Sequence, residues 1–251
     1  MADAEYHRPA CSVWKDDVIT LTNHGVNTTG GHKVWTAARH TRDVLERNSQ
    51  FLGLCKPGAA LLELGAGCGW LGLTLARNLP DCTVLLTEQS ASGAVEHLWK
   101  NISANSNLVG NRVSAEAFDW TYFAEGRAKC SDSSEPKQKM HSSLFHTEQK
   151  IASSNWEFVI GSDLVYNQTG VEILPEVLSH FAKRGSTVLY GHSLNRFDFM
   201  DVAFVQNLRD KGLKVKKLSF TGEQDVQMDE QAGSDYDLFP ELLPTVFIVS
   251  G

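Results

Sequence analysis

Two segments of this chain carry the residue types that chemistry needs. In Leu61-Leu-Glu-Leu-Gly-Ala-Gly-Cys-Gly-Trp-Leu-Gly72, an apolar run opens into closely spaced glycines. Gly65 and Gly67 would let the backbone turn tightly and approach a ligand with no Cβ in the way. In Phe158-Val-Ile-Gly-Ser-Asp-Leu-Val-Tyr166, a second apolar run ends in a carboxylate, Asp163, and a phenol, Tyr166. At that spacing the two can lie on one side of a turn and grip an amine. The blander alternative has Asp163 capping the next helix, with Tyr166 packed beneath it. Both apolar runs read as buried strands. In an open α/β sheet their carboxyl ends share the edge where ligands bind. The pair points to an enzyme that transfers a group from a nucleoside cofactor.

Further residues sharpen that reading. Glu88 ends another apolar run, Thr83-Val-Leu-Leu-Thr-Glu88, about twenty residues beyond the glycines, where an acid can accept the ribose hydroxyls of a nucleoside. Its alternative role is a helix-capping acid at a strand–helix junction. The dinucleotide fingerprint needs a third glycine at position 70, and Trp70 stands there, which disfavours NAD. Trp35, on an amphipathic stretch, and Trp120, at the end of a strand, read singly as core residues. The flat face of Trp120 could also stack on a purine.

The elements that position these groups follow from periodicity. Helices are expected over 32–48, 69–78, 92–105, 171–182 and 197–211, with Ser90 or Ser92 as a cap for the third. Val34, Ala37, Ala38, Val44 and Leu45 should face the core from the first helix. Strands are expected over 59–64, 83–88, within 112–120, and over 156–162, 186–190, 214–219 and 244–249. Strands alternating with helices predict a Rossmann-like, doubly wound α/β sheet of seven strands, mostly parallel. Residues 1–30 read as an N-terminal extension and 31–251 as one domain. Residues 124–154, serine-rich and of mixed charge, read as a polar surface insertion, partly disordered.

Bulk properties bound the answer. The chain has 251 residues, 42% of them apolar, enough for one large domain with its own core. No run of about 18 apolar residues predicts a membrane span. The acidic start, Met1-Ala-Asp-Ala-Glu-Tyr6, lacks the basic-then-apolar order of a signal peptide. Cys11, Cys55, Cys68, Cys82 and Cys130 are odd in number and widely spaced, so neither structural zinc nor a disulfide framework is expected. Reduced thiols in the cytoplasm, or also the nucleus, fit that usage. A net charge of −7 argues against bulk binding to nucleic acid phosphates.

The set Val34-Trp35-Thr-Ala-Ala38, Leu62-Glu-Leu-Gly-Ala-Gly67, Asp119-Trp120 and Asp163-Leu-Val-Tyr166 resembles the seven-β-strand S-adenosylmethionine-dependent methyltransferases. Within them it is most similar to methyltransferase family 16, which methylates lysine in non-histone proteins. The resemblance runs over about residues 30–250, with 124–154 as a local departure. It implies an antiparallel final strand and S-adenosylmethionine as cofactor, with S-adenosylhomocysteine as product. It also implies a cofactor site of Trp35, Glu63, Gly65, Ala66, Gly67, Glu88, Gln89, Trp120 and Ser162. Asp163 and Tyr166 become the catalytic pair that orients the substrate. Glu88 departs from the aspartate frequent in the family, and Arg196 lies near where the family often carries an arginine. The implied partner is a protein bearing a target lysine, acted on by a monomer, with no metal, membrane or direct nucleic acid partner.

Three rivals accompany this reading. Adenine-N6 methyltransferases resemble one another in an Asn/Asp-Pro-Pro-aromatic motif, whereas Ser162-Asp-Leu-Val165 has no proline. A small-molecule methyltransferase and a non-catalytic, cofactor-binding interaction protein are the others. Intact Glu88, Asp163 and Tyr166 argue against decay to the last. The seven acids between Gly222 and Gly251, with no Lys or Arg, are expected to form a loop near the carboxyl edge, either plain solvated surface or a guide for basic substrates.

Overall fold

The computed structural model describes residues 13–17, 19–22, 33–79, 81–124, 139–194, 198–219, 222–225 and 243–251. In chain order the elements are α1 (Thr36–Asn48), β1 (Ala60–Leu64), α2 (Trp70–Asn78), β2 (Thr83–Glu88), α3 (Ala94–Ala104), α4 (Ser106–Val109), β3 (Val113–Ala117), α5 (Thr121–Ala124), α6 (Lys139–Ser153), β4 (Phe158–Ser162), α7 (Gln168–Lys183), β5 (Thr187–Leu194), α8 (Asp198–Asp210), β6 (Lys214–Ser219), β7 (Gly222–Asp225) and β8 (Leu243–Ser250).

The strands form one sheet in the order β3-β2-β1-β4-β5-β8-β6-β7. β1 to β5 pair in parallel, and β8 lies antiparallel between β5 and β6. This is the expected seven-strand arrangement with one addition, the short edge strand β7 that folds back on β6. The acidic stretch therefore begins as a strand rather than a loop, and its residues 226–242 lie outside the described residues.

β1 and β4 sit side by side, with Leu61 opposite Phe158 and Leu64 opposite Gly161. Leu61, Leu62, Leu64, Phe158, Val159 and Ile160 are all buried, as strands covered on both faces must be. That register brings both chemical segments to one edge of the sheet. α1 and α2 pack one face around Leu45, Leu71 and Leu75, and α7 and α8 pack the other around Leu174, Phe181 and Phe204.

The reading of 124–154 as a polar insertion needs correction in its second half. Lys139–Ser153 is a helix whose last turns bury Glu148, Ile151 and Ala152. Trp156 Nε1 donates to the Ile151 carbonyl at 2.9 Å, tying α6 to the start of β4. Residues 125–138 lie outside the described residues. The capping expectation for α3 is also overturned. Its cap is Gly93 in the left-handed region, with no side-chain bond.

Candidate functional site

The turn from β1 into α2 is built by backbone that only glycine adopts without strain. Gly65, Gly67 and Gly69 have φ of 55°, 58° and 78°. At Gly65 a Cβ would run into the Leu164 side chain, so the glycine turn and the loop after β4 interlock. Trp70 opens α2 and is buried, with the Arg39 guanidinium 5.1 Å from its ring centroid.

Glu88, at the end of β2, clasps the glycine turn. Its Oε1 accepts from Gly67 N at 2.9 Å and its Oε2 from Gln89 N at 3.0 Å. A carboxylate has about four acceptor sites, so both oxygens keep capacity for hydroxyl donors. Burial raises the Glu88 pKa, and those two N–H groups oppose the rise. Glu63 is more deeply buried, and its Oε2 accepts from Gly72 N at 2.8 Å. Burial pushes its carboxyl up to about 8, and the neighbouring Glu88 charge adds to the rise.

Asp163 follows β4 in the left-handed region, φ 54°, a conformation Asp tolerates better than most residues. Its Oδ1 accepts from Ser193 N at 2.9 Å and its Oδ2 from Ser193 Oγ at 3.0 Å. The carboxylate is thus fixed by β5. It is not a helix cap. α7 is capped by Asn167, whose side chain accepts from Gly170 N. Nor does Tyr166 pack beneath, since 43% of it is exposed.

A feature absent from the sequence reading holds this loop from behind. Leu164 N and Val165 N both donate to Tyr190 Oη, at 2.9 and 3.2 Å. Tyr190 Oη lies 3.4 Å from His192 Nδ1, and His192 Nε2 lies 2.7 Å from Asp201 Oδ1. All three side chains are buried. With the His192 proton on Nε2 facing Asp201, Nδ1 accepts from the Tyr190 hydroxyl, which is kept protonated by its burial and by the Asp163 charge. One signal was available: Tyr190 and His192 alternate along a strand next to the segment that carries Asp163. Asp201 comes from a different element, and only the fold brings it in.

A cleft of about 380 Å³ opens at this edge. Trp35, Glu63, Gly65, Ala66, Gly67, Glu88, Gln89, Trp120, Ser162, Asp163 and Tyr166 all line it, together with Lys33, Asp119 and Asn167. The residues expected for the cofactor site and the catalytic pair therefore share one cleft. Trp35 sits at the N-terminal cap position of α1 and is only partly buried, as is Trp120, so neither is the plain core residue that each suggests singly. Arg196 lies outside the described residues. Among those residues no cluster of His, Cys, Asp and Glu could hold a metal ion, and no helix is long and apolar enough to cross a membrane.

The cleft's chemistry fits S-adenosylmethionine. Glu88, Asp119 and Asp163, beside a Glu63 that keeps its proton at neutral pH, make it acidic, suited to a ligand with a sulfonium and an ammonium and hostile to the two phosphates of NAD. The glycine turn leaves room for close approach, and Glu88 stands at the strand end where ribose hydroxyls are met.

Comparison with known proteins agrees. A family model described as lysine methyltransferase matches residues 14–133. A UPF0665 family protein of Schizosaccharomyces pombe is 23% identical over 148 residues, covering 59% of this chain and 37% of that protein. The chain thus spans little more than a third of that relative's length. A solved structure of a Pyrococcus horikoshii protein described as a candidate RNA methyltransferase superposes with a TM-score of 0.51 at 13% identity, covering 91% of each chain. Magnesium protoporphyrin IX methyltransferase from Synechocystis, with the cofactor bound, gives a TM-score of 0.48 at 15% identity, covering 91% of this chain and 87% of that one. At 13% identity the first of these speaks to fold alone. By its sheet order the chain has a Rossmann-like, doubly wound fold shared with that RNA methyltransferase candidate, and the lysine methyltransferase model matches just under half of its length.

Proposed function

We propose that this protein transfers methyl groups from S-adenosylmethionine to the side-chain amine of lysine in a protein substrate. The observation that carries the reading is the Asp163–Tyr166 loop, which opens into the same cleft as the glycine turn and holds its carboxylate in place through two bonds from Ser193. The lysine description of the matching family model supports the choice of acceptor.

When bound, S-adenosylmethionine supplies an activated methyl group on a sulfonium. The protein's task is then to present a neutral amine in line with it. A free lysine has a pKa of about 10.4 and arrives protonated. Asp163 attracts the ammonium and sets its position, while entry into a half-buried cleft favours loss of the proton. Asp163 is therefore a positioning group first and a proton acceptor second. Tyr166, exposed at the rim, can bracket the lysine stem and fix its angle. With the methyl group supplied by the cofactor, Asp163 or water would take the proton that the methylated amine gives up.

The test has two arms. Calorimetry should show S-adenosylmethionine binding, with a rise in melting temperature set by ligand excess over Kd, and no response to NAD. Labelled cofactor incubated with a cell lysate should then place the label in protease-sensitive, nuclease-resistant material. NAD binding with no response to S-adenosylmethionine would overturn the cofactor reading. Label in nuclease-sensitive or low-mass material would transfer the activity to nucleic acid or to small molecules.

A further inference from the structure

Charge balance in the cleft singles out Lys33. Among the described residues lining it there are four acidic side chains, of which Glu63 keeps its proton at neutral pH, and one cationic side chain, Lys33. Its ammonium stands 4.0 Å from the centroid of the Trp35 ring, a cation–π distance that holds the exposed head group beside the cleft. Glu88, Asp119 and Asp163 can match the sulfonium and the ammonium of S-adenosylmethionine. None of them can match its remaining charge, the α-carboxylate of the methionine moiety, which they would repel.

We propose that Lys33 is the carboxylate anchor of the cofactor site. Its ammonium, resting on Trp35, donates a charge-assisted hydrogen bond to the α-carboxylate and orients the amino-acid end of the cofactor. The inference deepens the cofactor reading above and rests on it. Trp35 contributes by restricting the lysine stem, so less freedom is lost when the carboxylate is met.

The experiment compares two ligands that differ only in the carboxylate. S-adenosylmethionine and decarboxylated S-adenosylmethionine are titrated calorimetrically into the wild-type protein, Lys33→Gln and Lys33→Arg, each checked for folding by its melting curve. Lys33→Gln should bind S-adenosylmethionine about tenfold more weakly, the size of one charge-assisted bond at an exposed position. It should bind the decarboxylated ligand as well as wild type does, or better, because a repelling cation has gone. Lys33→Arg keeps the charge and should retain most of the affinity for S-adenosylmethionine. Equal losses for both ligands would make Lys33 a support for Trp35 and overturn the assignment, as would an unchanged affinity for S-adenosylmethionine in Lys33→Gln. A wild-type protein that binds neither ligand would instead overturn the cofactor reading itself.

Discussion

Asp163 shows how much one side chain's role depends on its second partner. Read alone, an acid after a strand is as good a helix cap as a catalytic group. In the fold Asn167 takes the cap, and Ser193 takes both oxygens of Asp163. Asp163→Asn keeps the shape, and asparagine also tolerates the left-handed backbone there. The variant should therefore fold and bind cofactor within a few-fold of wild type while losing most transfer, measured by label incorporation beside calorimetry. Normal transfer by a folded variant would leave Asp163 a purely structural anchor for the loop. Glu63 offers a second residue-level test, through pH. Its carboxyl ionises near 8 in the folded chain, against an ordinary value of 4.5. Between those values the native state holds a proton that the unfolded state has lost. Stability from this group therefore falls as pH rises through that window, by at most about 1.4 kcal/mol per unit, and is level above it. Glu63→Gln removes the titration. The melting temperature of the variant relative to wild type should climb between about pH 5 and pH 8, and parallel curves would show that Glu63 titrates alike in both states.

At the level of elements, legibility followed the strength of the local signal. β2 lies where its apolar run placed it, because a buried parallel strand flanked by turns leaves a continuous and bounded pattern. The glycine turn was legible for the same reason: its conformation is dictated by residue type, and the φ values at Gly65, Gly67 and Gly69 bear it out. α6 was not legible. Its sequence Lys139-Met-His-Ser-Ser-Leu-Phe-His-Thr-Glu-Gln-Lys-Ile-Ala-Ser153 has few apolar residues, and tertiary contacts carry what its own pattern does not. The Tyr190–His192–Asp201 relay was likewise hidden, being assembled from β5 and α8. It makes a definite prediction. Tyr190→Phe leaves the buried N–H groups of Leu164 and Val165 without the hydroxyl that accepts from both, at a cost of about 1–3 kcal/mol in unfolding free energy by denaturant titration. The loop it releases carries Asp163, so transfer should fall as well. An unchanged denaturation midpoint would mean that the hydroxyl is dispensable to the loop.

Across the whole molecule, the cleft exists because distant parts of the chain close one sheet. The N-terminal segment is strapped over the helices: Trp14 N donates to Glu46 Oε1 at 2.7 Å, Lys15 N to Asn78 Oδ1, Thr20 N to Asn105 Oδ1 and Thr22 N to Asn101 Oδ1, each at 2.8 Å. Asn101 in turn donates to the Cys68 carbonyl in the glycine turn, so the strap braces the glycine-turn side of the cleft. At the other extreme of the sequence, β8 is the strand that joins β5 to β6. It pairs with β5 from Val188 opposite Val249 to Leu194 opposite Leu243, and with β6 from Lys214 opposite Ser250 to Leu218 opposite Val246. Val246, Phe247 and Val249 are buried within it. Removing residues 243–251 would strip β5 of a neighbour along its whole length, and Ser193, which fixes Asp163, lies on that strand. It would also leave β6 and β7 without a sheet to join, exposing a long apolar edge of the kind that aggregates. The truncated chain should therefore fail to give a cooperative melting transition and should be cleaved by protease under conditions where the full chain resists. A chain ending at residue 242 that melted cooperatively would show that β1 to β5 with their helices form a stable unit by themselves. In that event the loss of β8 should appear only as a loosened Asp163, with transfer reduced and cofactor binding retained.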